Sequence, residues 1–201
     1  MPINRRFFFD SVRSAPFSGR LAAKQVEGLS AILDVWESSS EQRDDRWLAY
    51  MLGTAFHETA TTMQPIQEYG GKAYFTKMYD VSGANPARAR KMGNTEIGDG
   101  PRYCGRGYVQ LTWKSNYAAM SPIVGEDLVA HPERAMDPTI ACKVMFHGMV
   151  DGVFTGKRLE NYFLGATEDW VNARRIINGL DRAPLVAGYA RNFYSAMSYT
   201  T

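Results

Sequence analysis

The sequence predicts a mainly α fold with a small, loop-rich lobe inserted between helices, and three observations support this. Apolar residues recur at three- and four-residue steps near the start of the chain and again toward its end. That periodicity fails from Thr61 to about Tyr103, where Pro65, the Gly70-Gly71 pair and Pro86 interrupt it. Hydrophobic residues make up 45% and charged residues 22% of the 201 positions, the proportions of one folded domain with a substantial core.

The first strongly periodic stretch is "RLAAKQVEGLSAILDVWESS", where Leu21, Val26, Leu29, Ile32, Leu33 and Trp36 form an apolar stripe and Ser18 is the candidate cap. A polar turn, "SSSEQRDD", separates it from "DRWLAYMLGTAFHETA", whose stripe is Trp47, Leu48, Met51, Leu52, Ala55 and Phe56. An irregular lobe with short helices follows, placed at approximately 61–110. "GYVQLTW" is rich in strand formers and predicts a short extended segment. Helical patterning then resumes at about 115–120, in "DPTIACKVMFHGMVDG" with Asp137 or Pro138 at its start, in "TEDWVNARRIING", and in "APLVAGYARNFYSAM". All 201 residues are read as a single domain.

A net charge of +2, with Lys and Arg dispersed, gives no reason to expect a nucleic-acid partner. Cys104 and Cys142 are too few for a disulfide framework and neither lies in a CxxC pair, which fits two reduced thiols. The opening "MPINRRFFFDSVRS" has too short an apolar stretch for a signal peptide, so synthesis in the cytoplasm without an export signal is expected. Nothing reaches the length of a membrane span, so stable membrane insertion is not expected. Arg5, Arg6 and the Phe run read as a segment packed onto the domain rather than a membrane contact.

The chemistry centres on "FHETATT", residues 56–62. A zincin helix needs a second His four residues after the first, and position 61 is Thr. With His57, His131 and His147 the only histidines and no Cys cluster, neither a metal nor another cofactor is expected. Glu58 falls within about 20° of Met51 on the helix face, near the helix end. A carboxyl group at the edge of a buried stripe is partly desolvated, which suits a general acid, although a surface Glu at a helix end has the same pattern. A glycosidase needs a second carboxylate; Glu68 is the nearest, with Glu96 and Asp99 in "GNTEIGDG" as rivals. In "YCGRGYVQLTWKSNY", Gly105 and Gly107 allow close backbone approach, and Gln110, Thr112 and Asn116 stand beside Tyr108, Trp113 and Tyr117. Amides and hydroxyls beside ring faces suit a carbohydrate site, and equally a polar-aromatic structural segment.

Taken in order, "AFHET", "GRGYVQLTWKSNY", "EDLVAHPERAMDPTIACKVMFHGM" and "RRIINGLDR" resemble glycoside hydrolase family 19, the chitinases and related bacteriophage endolysins, over roughly residues 45–197. "RRFFFDSVR" and "MGNTEIGDGPRYCGRG" resemble the endolysin branch. The resemblance implies a lysozyme-like, two-lobed helical domain with a cleft between a larger helical lobe and a small loop-rich one. It implies an inverting acid/base mechanism in which Glu58 is the acid, Glu68 the base, and Thr112 holds the attacking water. His57, Gln110, Asn116, Tyr117, Asn178 and Arg182 are implied substrate-binding residues. Ser115 stands where plant chitinases usually have Tyr, and "ATT" replaces their Gly-rich stretch after HET, which weakens transfer of a chitin preference. The leading expectation is therefore a monomeric peptidoglycan hydrolase, an endolysin of the muramidase type. It would cut between N-acetylmuramic acid and N-acetylglucosamine and reach the periplasmic wall by holin-mediated release. A chitinase is the alternative, and a wall-binding protein without activity is a third reading disfavoured by Glu58, Glu68 and Thr112 occurring together.

Overall fold

The structure is a computed structural model that describes residues 2–38 and 44–200. Residues 39–43 of the expected polar turn lie outside the described residues. The chain divides into two units, Met1–Gln64 with Met145–Thr201, and Pro65–Val144. The inserted unit thus ends well past the expected boundary near residue 110. Helical periodicity resumes soon after that point, but the resumed helices pack on the insertion: the Tyr117 hydroxyl donates to Cys104 O at 2.8 Å, and a Cβ on Gly107 would stand 3.0 Å from Ala135 O.

The first unit is helical: α1 (Arg5–Ser14), α2 (Ala23–Ser38), α3 (Asp45–Glu58) and, after the insertion, α9 (Ala183–Ser195), with 3-10 turns at Leu159–Asn161 and Asn172–Ile176. Asp44 caps α3, its side chain accepting from Arg46 N at 2.9 Å. The expected stripe of α3 is buried apart from the half-buried Trp47, but Ala49, Tyr50, Gly53 and Thr54 are buried too, so this helix is enclosed rather than amphipathic. Its main neighbour is α9, and the approach is close because Gly53 has no side chain: a Cβ there would lie 2.7 Å from Ala190 N.

The "FFF" run is part of α1, with Phe8 fully buried and stacked on Phe193 at 6.4 Å, while Phe7 remains exposed. This is the packed N-terminal segment expected, and Arg5 pairs with Asp34 at 2.8 Å and Glu37 at 2.5 Å. Two expectations fail here. Ser18 does not cap α2, which begins at Ala23; instead Gln25 Oε1 accepts from Ala22 N at 2.8 Å. "TEDWVNARRIING" contains only the 3-10 turn Asn172–Ile176; Trp170, Ala173 and Ile176 are buried at three-residue steps, the repeat of a 3-10 helix rather than of an α-helix.

The second unit holds α4 (Lys72–Tyr79), α5 (Pro86–Lys91), α6 (Asp99–Arg102), α7 (Lys114–Val124) and a 3-10 turn at Pro132–Met136. Helix α8 (Pro138–Val150) carries the chain back to the first unit, and Asp137 Oδ1 accepts from Thr139 N at its start. Strand β1 (Ile66–Gln67) pairs antiparallel with β2 (Arg106–Gly107), Ile66 opposite Gly107 and Gln67 opposite Arg106. "GYVQLTW" is therefore not a strand. Its residues 108–110 form a turn, with Gly107 at φ +89° and Gln110 at φ +55°, that returns Leu111 to bridge Arg106.

Because Gly53 meets backbone rather than a movable side chain, Gly53→Ala is expected to lower stability by roughly 1–3 kcal/mol. Urea denaturation beside wild type reads this, and an unchanged midpoint would contradict the close α3–α9 contact.

Candidate active site

Glu58 is the last residue of α3, so the enclosed helix fixes its backbone while its side chain keeps 18% exposure. Beyond it the chain turns sharply: Ala60, Thr61 and Met63 all have positive φ, an uncommon run for residues with side chains. Hydrogen bonds hold this turn. Thr59 Oγ1 donates to Ala55 O at 2.7 Å and accepts from Met63 N at 3.1 Å, and Gln25 Nε2 donates to Thr61 O at 2.9 Å. Helix α2 approaches so closely that a Cβ on Gly28 would stand 1.6 Å from Met63 O.

Arg174, 3% exposed, places Nη1 2.7 Å from Glu58 Oε1, and its Nε donates to Asp181 O at 3.1 Å. The ion pair is short but off-axis, since neither Nη1 nor Oε1 reaches hydrogen-bond geometry with any partner. Charge holds it, and removing one member of such a buried pair typically costs about 3–5 kcal/mol. His57 is half-buried beside Glu58. Burial lowers its pKa, Glu58 opposes this, and Arg174 and Arg182 add to the lowering.

In the second unit Glu68 follows β1 directly, and Gly105 holds it twice. Gly105 O accepts from Glu68 N at 2.8 Å, and Gly105 N donates to Glu68 Oε2 at 3.2 Å. A side chain at 105 would crowd this arrangement, its Cβ 2.8 Å from Gln110 Oε1 and 3.2 Å from Glu68 Oε2. The other carboxylate oxygen accepts from the Tyr79 hydroxyl at 2.8 Å. Burial, and then the bond to Glu68, push the Tyr79 hydroxyl's pKa upward. Of the rival carboxylates, Asp99 is 6% exposed and occupied as a loop cap, accepting from Thr95 N and Glu96 N, whereas Glu96 is exposed.

The remaining polar residues separate clearly. Thr112 donates its hydroxyl proton to Gln110 O at 2.8 Å, which leaves its oxygen free to accept. Asn116 Nδ2 donates to Thr112 O at 2.8 Å, and Gln110 Nε2 to Ile66 O and Gly107 O. Tyr117 does not fit the substrate-binding role: it is fully buried, and its hydroxyl donates to Cys104 O and accepts from Arg106 Nη1 at 3.0 Å. The neighbouring Asn was the polar signal, but helix phase turns Tyr117 inward. In the first unit Asn178 and Arg182 are exposed.

Sequence reasoning missed Arg174 and Tyr79. Arg174 had a usable signal, a charged residue amid the apolar set Trp170, Ala173 and Ile176. Tyr79 sits four residues after Phe75, as any core aromatic of α4 would.

Comparison with known proteins shows the family and the fold. The family model of glycoside hydrolase family 19, described as chitinase class I, matches residues 22–151. The chain belongs to glycoside hydrolase family 19. It is 31% identical over 119 residues to Endochitinase CHI of Arabidopsis thaliana, covering 56% of this chain and 41% of that protein. It is 43% identical over 54 residues to Endochitinase 1 of Theobroma cacao, covering 26% of this chain and 17% of that protein. The chain thus spans less than half the length of either curated relative. The crystal structure of a bacterial family 19 chitinase is similar with a TM-score of 0.55 at 19% identity, covering 96% of this chain and 93% of that one, a likeness of fold. The mainly α expectation is met.

The lowered pKa of His57 has a consequence for stability. An unfolded His takes up a proton near pH 6.5, whereas the folded one resists it, so the native state loses stability as pH falls through that value toward the lower folded one. His57→Gln is expected to flatten the pH dependence of urea stability between about pH 7.5 and 5.5. An unchanged slope would contradict the assigned burial.

Proposed function

We propose that this protein is a glycoside hydrolase that cuts β-1,4 bonds in N-acetylglucosamine polymers of the chitin type, by single displacement with inversion. The observation that carries this reading is Glu58. It is a partly exposed carboxylate at the end of an enclosed helix, paired with a buried arginine and inside the segment that the family matches.

In this mechanism Glu58 acts in its protonated form: the bond from C1 to the leaving oxygen breaks as that oxygen takes the carboxyl proton, and the carboxylate left behind is the partner that Arg174 stabilises. Water bonds to C1 while its proton passes to Glu68, which Tyr79 and Gly105 hold in place. Thr112 accepts a hydrogen bond from that water, because its own proton is committed to Gln110 O. His57, Gln110, Asn116, Asn178 and Arg182 contact the sugar. The names of both plant relatives and of the bacterial structure support chitin as the substrate class. Peptidoglycan is the second reading, supported by Ser115, exposed with its hydroxyl turned to Met92 O, and by the endolysin-like "MGNTEIGDGPRYCGRG".

The test is digestion of chitin oligomers and purified peptidoglycan in parallel, with new reducing ends identified by mass spectrometry. Chitin oligomers are expected to be cleaved, with Glu58→Gln and Glu68→Gln each slower by about 10²–10⁴-fold while still folding cooperatively. Reducing N-acetylmuramic acid ends with inert chitin would establish the second reading. Full activity in Glu58→Gln would remove the catalytic assignment.

Thr112→Val tests the water contact separately. It is expected to lower kcat by roughly tenfold with KM little changed, since the contact matters when water attacks. A pure KM effect would make Thr112 a sugar contact.

A further inference from the structure

Behind Glu58 lies a group of polar atoms that the mechanism above does not use. Tyr50 Oη, Thr54 Oγ1, Glu58 Oε1 and Arg174 Nη1 are all buried without a hydrogen-bond partner among the described residues. Three of them come from α3 at i, i+4 and i+8, positions that advance only about 40° per step and so share one helix face. Tyr50 and Thr54 are fully buried, and Arg174 is 3% exposed.

Ordinary helix chemistry does not account for these hydroxyls. A helical Thr often donates to the carbonyl four residues back, as Thr59 does to Ala55 O at 2.7 Å, yet Thr54 makes no such bond. The Tyr50 ring packs against the Phe163–Trp170 pair, at 5.6 Å and 6.5 Å, which fixes the ring but offers its hydroxyl no acceptor. Arg174, Tyr162 and Asp169 are the charged and titratable groups whose electrostatic influence reaches that hydroxyl. A buried hydroxyl without a partner is costly and a buried charged group more so, and buried water making two to four bonds is the usual remedy. The off-axis Glu58–Arg174 contact adds a reason, since neither Glu58 Oε1 nor Arg174 Nη1 has a hydrogen-bond partner to complete the pair.

The geometry points to an ordered-water site in which Tyr50 and Thr54 hold water that bonds Arg174 and the inner oxygen of Glu58. Tyr50 and Thr54 are then positioning residues for the acid. They never touch substrate; they set the angle at which the carboxyl meets the leaving oxygen. This inference rests on the role proposed for Glu58.

Tyr50→Phe and Thr54→Val remove one hydroxyl each and change side-chain shape little. Each is expected to lower kcat on a chitin oligomer by about tenfold, the scale of a small misplacement of a catalytic group. KM should stay within about twofold, because binding is not altered. The double variant should be no slower than the slower single one, since both act through the same water. Wild-type kcat in both single variants, together with raised Tm, would overturn the inference, because the hydroxyls would then be an uncompensated cost of burial. An independent readout needs no turnover: carbon-13 NMR titration of the Glu58 carboxyl in wild type and the double variant. A displaced midpoint is expected, and superimposable curves would overturn the site. If wild type cleaves no glycan, the proposed function fails while the titration still decides this site.

Discussion

A buried guanidinium without a counter-charge is among the most expensive arrangements a protein can hold, and Arg174 avoids it by meeting Glu58 at 2.7 Å. That pair joins the 3-10 turn Asn172–Ile176, which carries the arginine, to the end of α3, which carries the carboxylate. The packing serves the same end: α3 is enclosed, Gly53 lets α9 approach, and Gly28 lets α2 press on the turn that follows Glu58. A carboxylate on a flexible loop would need ordering at each encounter. Here the ordering is supplied during folding.

The second unit secures its carboxylate by other means. Glu68 has no helix behind it, only two residues of β1 and a Gly105 peptide that bonds both its backbone and its side chain. Sheet pairing sets the direction of the chain, the Tyr79 hydroxyl fixes the second oxygen, and the missing side chain at Gly105 makes room. The positive-φ turn at 107–110 closes this arrangement. It also explains why residues rich in strand formers do not form a strand.

Much of this was legible beforehand because helix burial writes a period into sequence. The stripes of α2 and α3 and the helical span of α9 were readable for that reason, and Glu58 could be placed at a helix edge by counting from Met51. What periodicity cannot carry is pairing over long sequence separation. Arg174 lies far from Glu58 along the chain, Gly105 far from Glu68, and no local pattern announces either contact. Tyr117 shows the converse error, a polar-tipped aromatic in a motif rich in amides whose hydroxyl is satisfied inside, by Cys104 O. The limit of the inserted unit was misplaced for the same reason: the sequence shows where helices resume, whereas contacts decide which unit they join.

The central claim is that Glu58 donates the proton to the leaving oxygen, and a substrate that needs no such proton tests it most directly. The measurement is the rate of Glu58→Ala on a dinitrophenyl β-glycoside of a chitin disaccharide, set against its rate on an unactivated chitin oligomer. The account predicts near-complete loss on the oligomer and substantial retention on the activated glycoside, whose phenolate departs unprotonated. Equal loss on both substrates would contradict it, since Glu58 would then be supporting the site in some other way than as its acid.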